Sequence, residues 1–219
     1  LTEPVFKKTK SIFDKGKMVQ LPNGDILAPL WGRFKGDFTS RAILCKSSDS
    51  GRSWKYYSTV AYDADDPNPE LPGEFGGYPE CSITMLPNGK MLFAARTQSS
   101  HLPPDYKPIY FSWSDDLGKT WTEPQPSNPH LINIWPTLMT LDNGVIACQY
   151  GRPGFHIVFS TDNGRTWGNR LSFTNSPHSG MNDMIKTGPN TLVALGGIPG
   201  QGTFAYQVKV ELIDDPHAA

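Results

Sequence analysis

The chain has 219 residues, with 20 Lys and Arg against 21 Asp and Glu for a formal net charge of -1, and 37% of its residues are hydrophobic. A balance this close to zero argues against a bulk electrostatic grip on nucleic acid or on an anionic membrane. The lack of any apolar run near about 18 residues argues against membrane insertion, and 11 Phe, 8 Tyr and 6 Trp argue against disorder. The length suits one domain over residues 1–219, since all-β folds of this size often run unbroken. The sequence opens at Leu1 without a basic, apolar leader, which reads as a processed or trimmed product. Cys45, Cys81 and Cys148 each sit in an apolar, strand-like run and read as buried free thiols; with no CxxC pair, neither zinc nor a cofactor is expected.

In chain order, Met18 to Leu30 (MVQLPNGDILAPL) reads as strand, tight Pro-Asn-Gly turn and strand, with no helical period over a helix-length window. Gly32 to Asp37 follows as a loop between strands, and Ser47 to Trp54 (SSDSGRSW) as a hairpin turn. Ala61 to Gly77 is too rich in Pro and acid for a strand and reads as a long loop, a common place for function. Its Asp63, Asp65, Asp66, Glu70 and Glu74 lack EF-hand spacing and read as a solvated acidic face rather than a calcium site. Ser82 to Ala95 (SITMLPNGKMLFAA) repeats the strand-turn-strand pattern, and Ser114 to Trp121 (SDDLGKTW) repeats the hairpin. Pro136 to Gln149 and Ser160 to Trp167 (STDNGRTW) form a third round. Asn182 to Leu195 is a degenerate fourth strand pair, and Thr203 to Leu212 alternates like a strand without a second hairpin turn.

The three hairpins share S-x-D-x-G-x-[ST]-W. The Asp carboxylate can accept backbone N–H groups across the turn. The Gly can supply a positive φ. The Trp can return to the apolar layer with its indole N–H within reach of a partner. Each round therefore amounts to four antiparallel strands, over residues 11–60, 78–125, 132–172 and 180–213, with 61–77 inserted. Four-stranded units in tandem point to an all-β fold, a β-propeller with one blade per unit.

The S-x-D-x-G-x-[ST]-W motif resembles the Asp box of the sialidase-like propellers, also called BNR repeats, and the likeness runs over nearly the whole chain. The resemblance implies about four blades here against six usual for the family, and gives the Asp boxes a structural role away from the active centre. A more specific likeness, E-x(4-5)-L-x-[DN]-G-x-L…R, appears as Glu80 to Leu92, ending at Arg96. It implies that Glu80 polarises a nucleophile and that Arg96 binds a sugar carboxylate. Antiparallel pairing of the two strands would bring both to one mouth of the propeller. Arg152, in Tyr150-Gly151-Arg152-Pro153, corresponds to a second clamp arginine; two planar guanidinium forks suit a carboxylate. Tyr78, Tyr106 and Tyr150 lie closest in sequence to these residues and are the expected aromatic contacts to sugar.

The sequence departs from the family at the nucleophile, where Met181 stands in place of the usual tyrosine; Asp183, two residues on, is the candidate carboxylate in its stead. His178 lies close to Asp183 and is the one histidine with a candidate role in the site. The earliest blades, with the first clamp arginine and the acid/base aspartate, have no counterpart, and Asp37 is the candidate substitute acid. The resemblance thus implies a glycoside hydrolase-like, sialidase-related protein acting on or binding terminal acidic sugars of glycans, with secreted or extracytoplasmic placement. The alternatives are a non-catalytic Asp-box propeller that binds glycan or protein, and a partial propeller that self-associates or joins another propeller piece. No metal is expected.

Overall fold

The computed structural model describes residues 11–14, 16–65, 76–98, 107–129, 131–132, 134–151, 153–176, 182–198 and 200–213. Among them all regular structure is strand. The first sheet holds Ser11–Asp14 (β1), Val19–Gln20 (β2), Ile26–Arg33 (β3), Arg41–Ser47 (β4) and Lys55–Ala61 (β5). The second holds Cys81–Met85 (β6), Met91–Ala95 (β7), Tyr110–Ser114 (β8) and Gln125–Pro126 (β9). The third holds Ile134–Thr140 (β10), Ile146–Gly151 (β11), Phe155–Ser160 (β12) and Gly168–Thr174 (β13), and the fourth Asp183–Gly188 (β14), Thr191–Ile198 (β15) and Gly202–Lys209 (β16). All pairings within the sheets are antiparallel, between strands consecutive in the chain except that β1 and β2 both pair with β3. The four sheets are the blades of a propeller.

The first inner strand is split into β1 and β2, with Gly16 between them. A Cβ on Gly16 would stand 2.2 Å from Pro29 Cγ and 2.6 Å from the Cys81 carbonyl oxygen, so the chain there runs closer to β3 and to the second blade than any other residue permits. The Asn-Gly turns fall where the sequence placed them. Leu21, Leu86 and Leu141 each donate a backbone N–H to the carbonyl four residues on, at 2.8, 2.8 and 2.9 Å.

Three apolar seams hold the blades together. Leu27, Trp31 and Leu44 of the first blade pack with Ile83, Met91 and Phe93 of the second. Leu92 and Phe111 face Leu138, Ile146, Val158 and Trp167 of the third. Phe155 and Ile157 face Met184, Leu192 and Ala194 of the fourth. Between last and first blades the described residues show an ion pair instead, Lys17 to Asp183 at 3.5 Å. The far face of the fourth blade leaves Ile185 and Leu195 exposed.

The Asp boxes fasten the seams from the periphery. Asp116 accepts the Ser114 hydroxyl and the backbone N–H groups of Lys119 and Thr120 on one oxygen, and the Thr120 hydroxyl on the other, at 2.7–3.0 Å. Asp49 and Asp162 repeat the pattern. These donors hold Asp49 and Asp116 down at about 2, through the Ser53 hydroxyl first in one and the Thr120 N–H first in the other. The second and third boxes dock onto the preceding blade: Ser58 donates to the Gly118 carbonyl, and Trp113 Nε1 to the Asn163 carbonyl at 2.8 Å. The expectation for the tryptophans holds in two boxes, where Trp54 and Trp121 donate to Gly51 and Gly118 at 3.1 Å. In the third, the Trp167 indole N–H is buried without an acceptor and the ring stacks on Phe111 at 5.0 Å.

Candidate functional site

Antiparallel pairing gathers the ends of the inner strands at one mouth, opposite the Asn-Gly turns and Asp boxes. Ser11 pairs with Arg33, Cys81 with Ala95, Ile134 with Gly151 and Asp183 with Leu195, so each inner strand begins where the next strand ends. Arg33, Glu80, Arg96, Gln149, Tyr150, Asn182 and Asp183 consequently sit at the same end of the fold.

Glu80 and Arg96 meet there. Arg96 Nη1 donates to Glu80 Oε1 at 3.1 Å, and the Arg96 backbone N–H points to the Glu80 carbonyl at 3.4 Å. Glu80 is 6% exposed, and its Oε2 is buried with no hydrogen-bond partner among the described residues. Its φ of 51° lies in the left-handed region, uncommon for a residue with a side chain and characteristic of positions where a site over-determines the backbone. A buried carboxylate with one oxygen on a guanidinium and the other open is arranged to accept one further proton donor.

Asp37 is differently committed. Arg41 clasps it with Nε and Nη2, at 2.7 and 2.6 Å, and the Phe34 backbone N–H adds a third bond at 2.8 Å. The guanidinium lies over the rings of Tyr62 and Phe34, at 3.9 and 4.6 Å from their centroids. Burial pushes the Asp37 carboxyl up, but Arg41 and the Phe34 N–H outweigh it and hold it below its ordinary value. Asp37 is thus an ionised carboxylate in a closed ion pair. Asp183 opens β14 with its side chain 61% exposed, between Lys17 and the backbone N–H of Met184. Burial lowers the Lys17 pKa, and Asp183 offsets part of that shift.

Tyr78 is half-buried against the first seam, edge-on to Tyr110 at 5.9 Å. Tyr150 is buried in the second seam, beside His156 at 5.2 Å; burial pushes its phenol up, and Arg170 offsets part of that shift. Arg152, Tyr106, His178 and Met181 lie outside the described residues, as do Asp66, Glu70 and Glu74 of the insert. Among the described residues no group of three His, Cys, Asp or Glu side chains is placed to hold a metal. The three cysteines are buried free thiols, with burial pushing Cys45 and Cys81 up to about 12.

Three residues at this end carried no motif in the sequence. Arg33 is 9% exposed, and its Nε has no acceptor. Gln149 is fully buried with neither amide atom bonded, and Asn182 Oδ1 is buried and unbonded. Asn182 is admitted between blades by two glycines: a Cβ on Gly151 would stand 3.2 Å from its Nδ2, and one on Gly196 would stand 2.9 Å from its Oδ1. The available signal was positional. Arg33, like Arg96, stands at the end of the second strand of its unit.

The BNR repeat-like domain family matches residues 9–211. The chain belongs to that family. No curated protein matches the sequence. Among solved structures this BNR repeat-like chain is similar to a protein of unknown function from Dyadobacter fermentans, at 18% identity and TM-score 0.67 over 90% of this chain and 52% of that one. It is also similar to a Hadza microbial sialidase, at 16% identity and TM-score 0.68 over 94% and 40% of the two chains. A third likeness is to the α-L-arabinanase of Penicillium chrysogenum, solved with arabinobiose, at 19% identity and TM-score 0.59 over 92% and 62%. The chain therefore spans 40–62% of the length of these structures. Identities this low speak for the fold alone, a glycoside-hydrolase-like propeller of sialidase type.

Proposed function

We propose that this propeller takes a terminal acidic sugar of a glycan at the mouth where Glu80 and Arg96 meet, and acts on it as a sialidase-related glycosidase. The observation that carries the reading is the Glu80–Arg96 pair: a buried carboxylate in a left-handed backbone, one oxygen on a guanidinium at 3.1 Å and the other open. In this reading Arg96 and Arg152 hold the sugar carboxylate, and Tyr78 and Tyr106 line the entry. The glycosidic bond breaks as a carboxylate nucleophile bonds to the anomeric carbon and the leaving oxygen takes a proton from solvent; Glu80 Oε2 then accepts a proton from the water that cleaves the resulting glycosyl ester. Asp183, exposed at the start of β14, is the candidate nucleophilic carboxylate. The whole chain 1–219 acts as one domain.

A second reading, binding without turnover, has one observation in its favour. A general acid must hold a proton near neutral pH, and Asp37 is kept ionised by Arg41. Turnover of a fluorogenic sialoside, measured beside equilibrium binding of sialic acid, separates the two. The enzyme reading expects Glu80→Gln to lower turnover by about 100-fold or more while binding changes little. Wild-type protein that binds the sugar but releases no fluorophore at any pH would leave the binding reading standing.

A further inference from the structure

The repeat sets two equivalent grooves side by side at the end that carries the Asn-Gly turns and Asp boxes. One runs between the Asn-Gly turn of the first blade and the Asp box of the second; the other runs between the same parts of the second and third blades. Strand register makes the equivalence residue by residue. Lys46 pairs with Leu27 as Trp113 pairs with Leu92, and Asp25 and Lys90 each close their Asn-Gly turn. The side chains that floor the two grooves differ. In the first, Lys46 lies over the Tyr57 ring, 5.1 Å from its centroid, and bonds Asp25 at 3.0 Å. In the second, Lys90 turns to Asp115 at 2.9 Å, and the floor is the partly buried indole of Trp113.

That indole is fixed before any ligand arrives. Its Nε1 donates to the Asn163 carbonyl of the third Asp box at 2.8 Å, and the Trp113 backbone N–H donates to the Thr122 hydroxyl at 3.0 Å. A held ring loses little freedom on binding. The groove has a volume of about 460 Å³, within the roughly 300–1,000 Å³ of small-molecule sites. A neighbouring hollow shares Asn88 and Asn163 with it, so the groove continues along this end of the molecule.

The lining selects the chemistry of the occupant. Lys90 and Arg165 balance Asp115 and Glu123, and Leu86 and Trp113 supply apolar surface. An anion entering here meets two carboxylates, and a cation meets two cationic groups. The hydroxyls of a neutral sugar donate and accept, so they use both kinds of lining group, and the C–H face of a sugar ring suits the indole. We propose that this groove is a second binding site, which takes a neutral oligosaccharide stacked on Trp113 with its hydroxyls on Glu123 and Arg165. The site lies at the opposite end from the Glu80–Arg96 mouth and does not depend on what the mouth takes. On a surface that bears many glycans, a second point of attachment raises apparent affinity through effective concentration.

The test is binding of three neutral probes, lacto-N-tetraose, mannotriose and arabinotriose. It is followed through the indole N–H resonances of the protein, with the Trp113 signal assigned from its loss in Trp113→Phe, and through the signals of the probe itself. The expected result is that at least one probe binds with a Kd of about 10 mM or tighter and shifts the Trp113 signal. Trp113→Ala weakens that probe by about 10-fold or more, whereas Trp113→Phe keeps most of the affinity. Glu123→Ala combined with Arg165→Ala weakens it by about 5-fold or more. Both of these positions are exposed, so the double variant leaves the seams intact and decides the question where Trp113→Ala does not fold. Sialic acid, offered to the same sample, should leave the Trp113 signal in place. No shift from any neutral probe at about 50 mM, or a larger shift from sialic acid, overturns the proposal. An affinity unchanged in Trp113→Ala, or in the double variant where that one does not fold, overturns it as well. The reading of the mouth fails separately: sialic acid that binds nowhere, beside a neutral probe that needs Trp113, sinks the mouth and upholds the groove.

Discussion

The two ends of this propeller treat buried polar groups in opposite ways. At the Asp-box end, each aspartate is surrounded by donors from its own turn, and the boxes of the second and third blades add bonds to the blade before. At the mouth, Glu80 Oε2, Arg33 Nε, Asn182 Oδ1 and both amide atoms of Gln149 are buried and unbonded. Among the described residues the Trp167 indole N–H, buried and unbonded at the closed end, runs against the contrast. Closing a polar group with local partners stabilises a fold, whereas leaving it open costs about 1–3 kcal/mol per group and is retained where an incoming partner completes it. One end of the molecule therefore holds the blades, and the other keeps buried polar atoms open, as the proposed ligand site requires.

The largest expected effect tests the mouth itself. Glu80→Leu removes the counter-charge of Arg96 and should cost about 3–5 kcal/mol in chemical denaturation. Arg33→Met removes a guanidinium whose Nε is buried and unbonded among the described residues, and should cost less than Glu80→Leu. Equal losses from the two substitutions would erase the distinction between these two positions at the mouth.

The next effect isolates what an Asp box contributes to a seam. Gly164 has φ 82° and a Cβ there would stand 2.5 Å from Leu92 of the second blade. Gly51 has φ 85° and meets only its own Trp54, at 3.9 Å. Both alanine substitutions incur the left-handed backbone penalty of about 1–2 kcal/mol. Gly164→Ala also overpacks the seam, for about 1–3 kcal/mol more. Denaturation midpoints of the two variants should differ accordingly, and equal midpoints would mean that the box does not press on its neighbour.

A smaller effect concerns acid. Folding lowers Asp49 and Asp116 from 3.8 to about 2, so the native state keeps these carboxylates ionised where the unfolded chain would protonate them. Their contribution is complete above about pH 4 and is lost as pH falls through about 2. Asp116→Ala should cost about 1–2 kcal/mol at neutral pH, from the lost turn bonds, and should flatten the fall in stability between pH ~4 and ~2. A variant with the acid sensitivity of wild type would show that other carboxylates dominate there.

What the sequence disclosed follows the range of the forces involved. The Asn-Gly turns and Asp boxes are closed by residues within four positions of one another, so the repeating motif and its physical meaning could be read directly. The pairing of Glu80 with Arg96 was also legible, because one strand pair and its register bring them together. The surroundings of Asp37 were not: its clasp by Arg41 depends on Tyr62, which arrives from the far end of β5. Tyr150 was placed near the site by sequence distance; its ring is buried in the second seam at the mouth end, a burial that sequence distance does not show. Arg33 and Asn182 gain their meaning only from how blades pack, through Cys81 against Leu30 in one case and Gly151 and Gly196 in the other.

The smallest effect is expected at Ile185, on the open face of the fourth blade, and is read against a large one next to it on the same strand. Met184 and Ile185 are neighbours on β14 that point to opposite faces: Met184 is fully buried against the third blade, while Ile185 is 56% exposed on the far face. Met184→Ala should cost about 2–5 kcal/mol, as a cavity in a packed seam does. Ile185→Thr should shift stability by no more than about 0.5 kcal/mol, as surface substitutions do. The measurement is chemical denaturation at two protein concentrations. A large loss from Ile185→Thr would mean that the far face is covered in solution. If that loss also grew with protein concentration, the cover would be a second copy of the chain, because only an intermolecular contact makes stability depend on concentration.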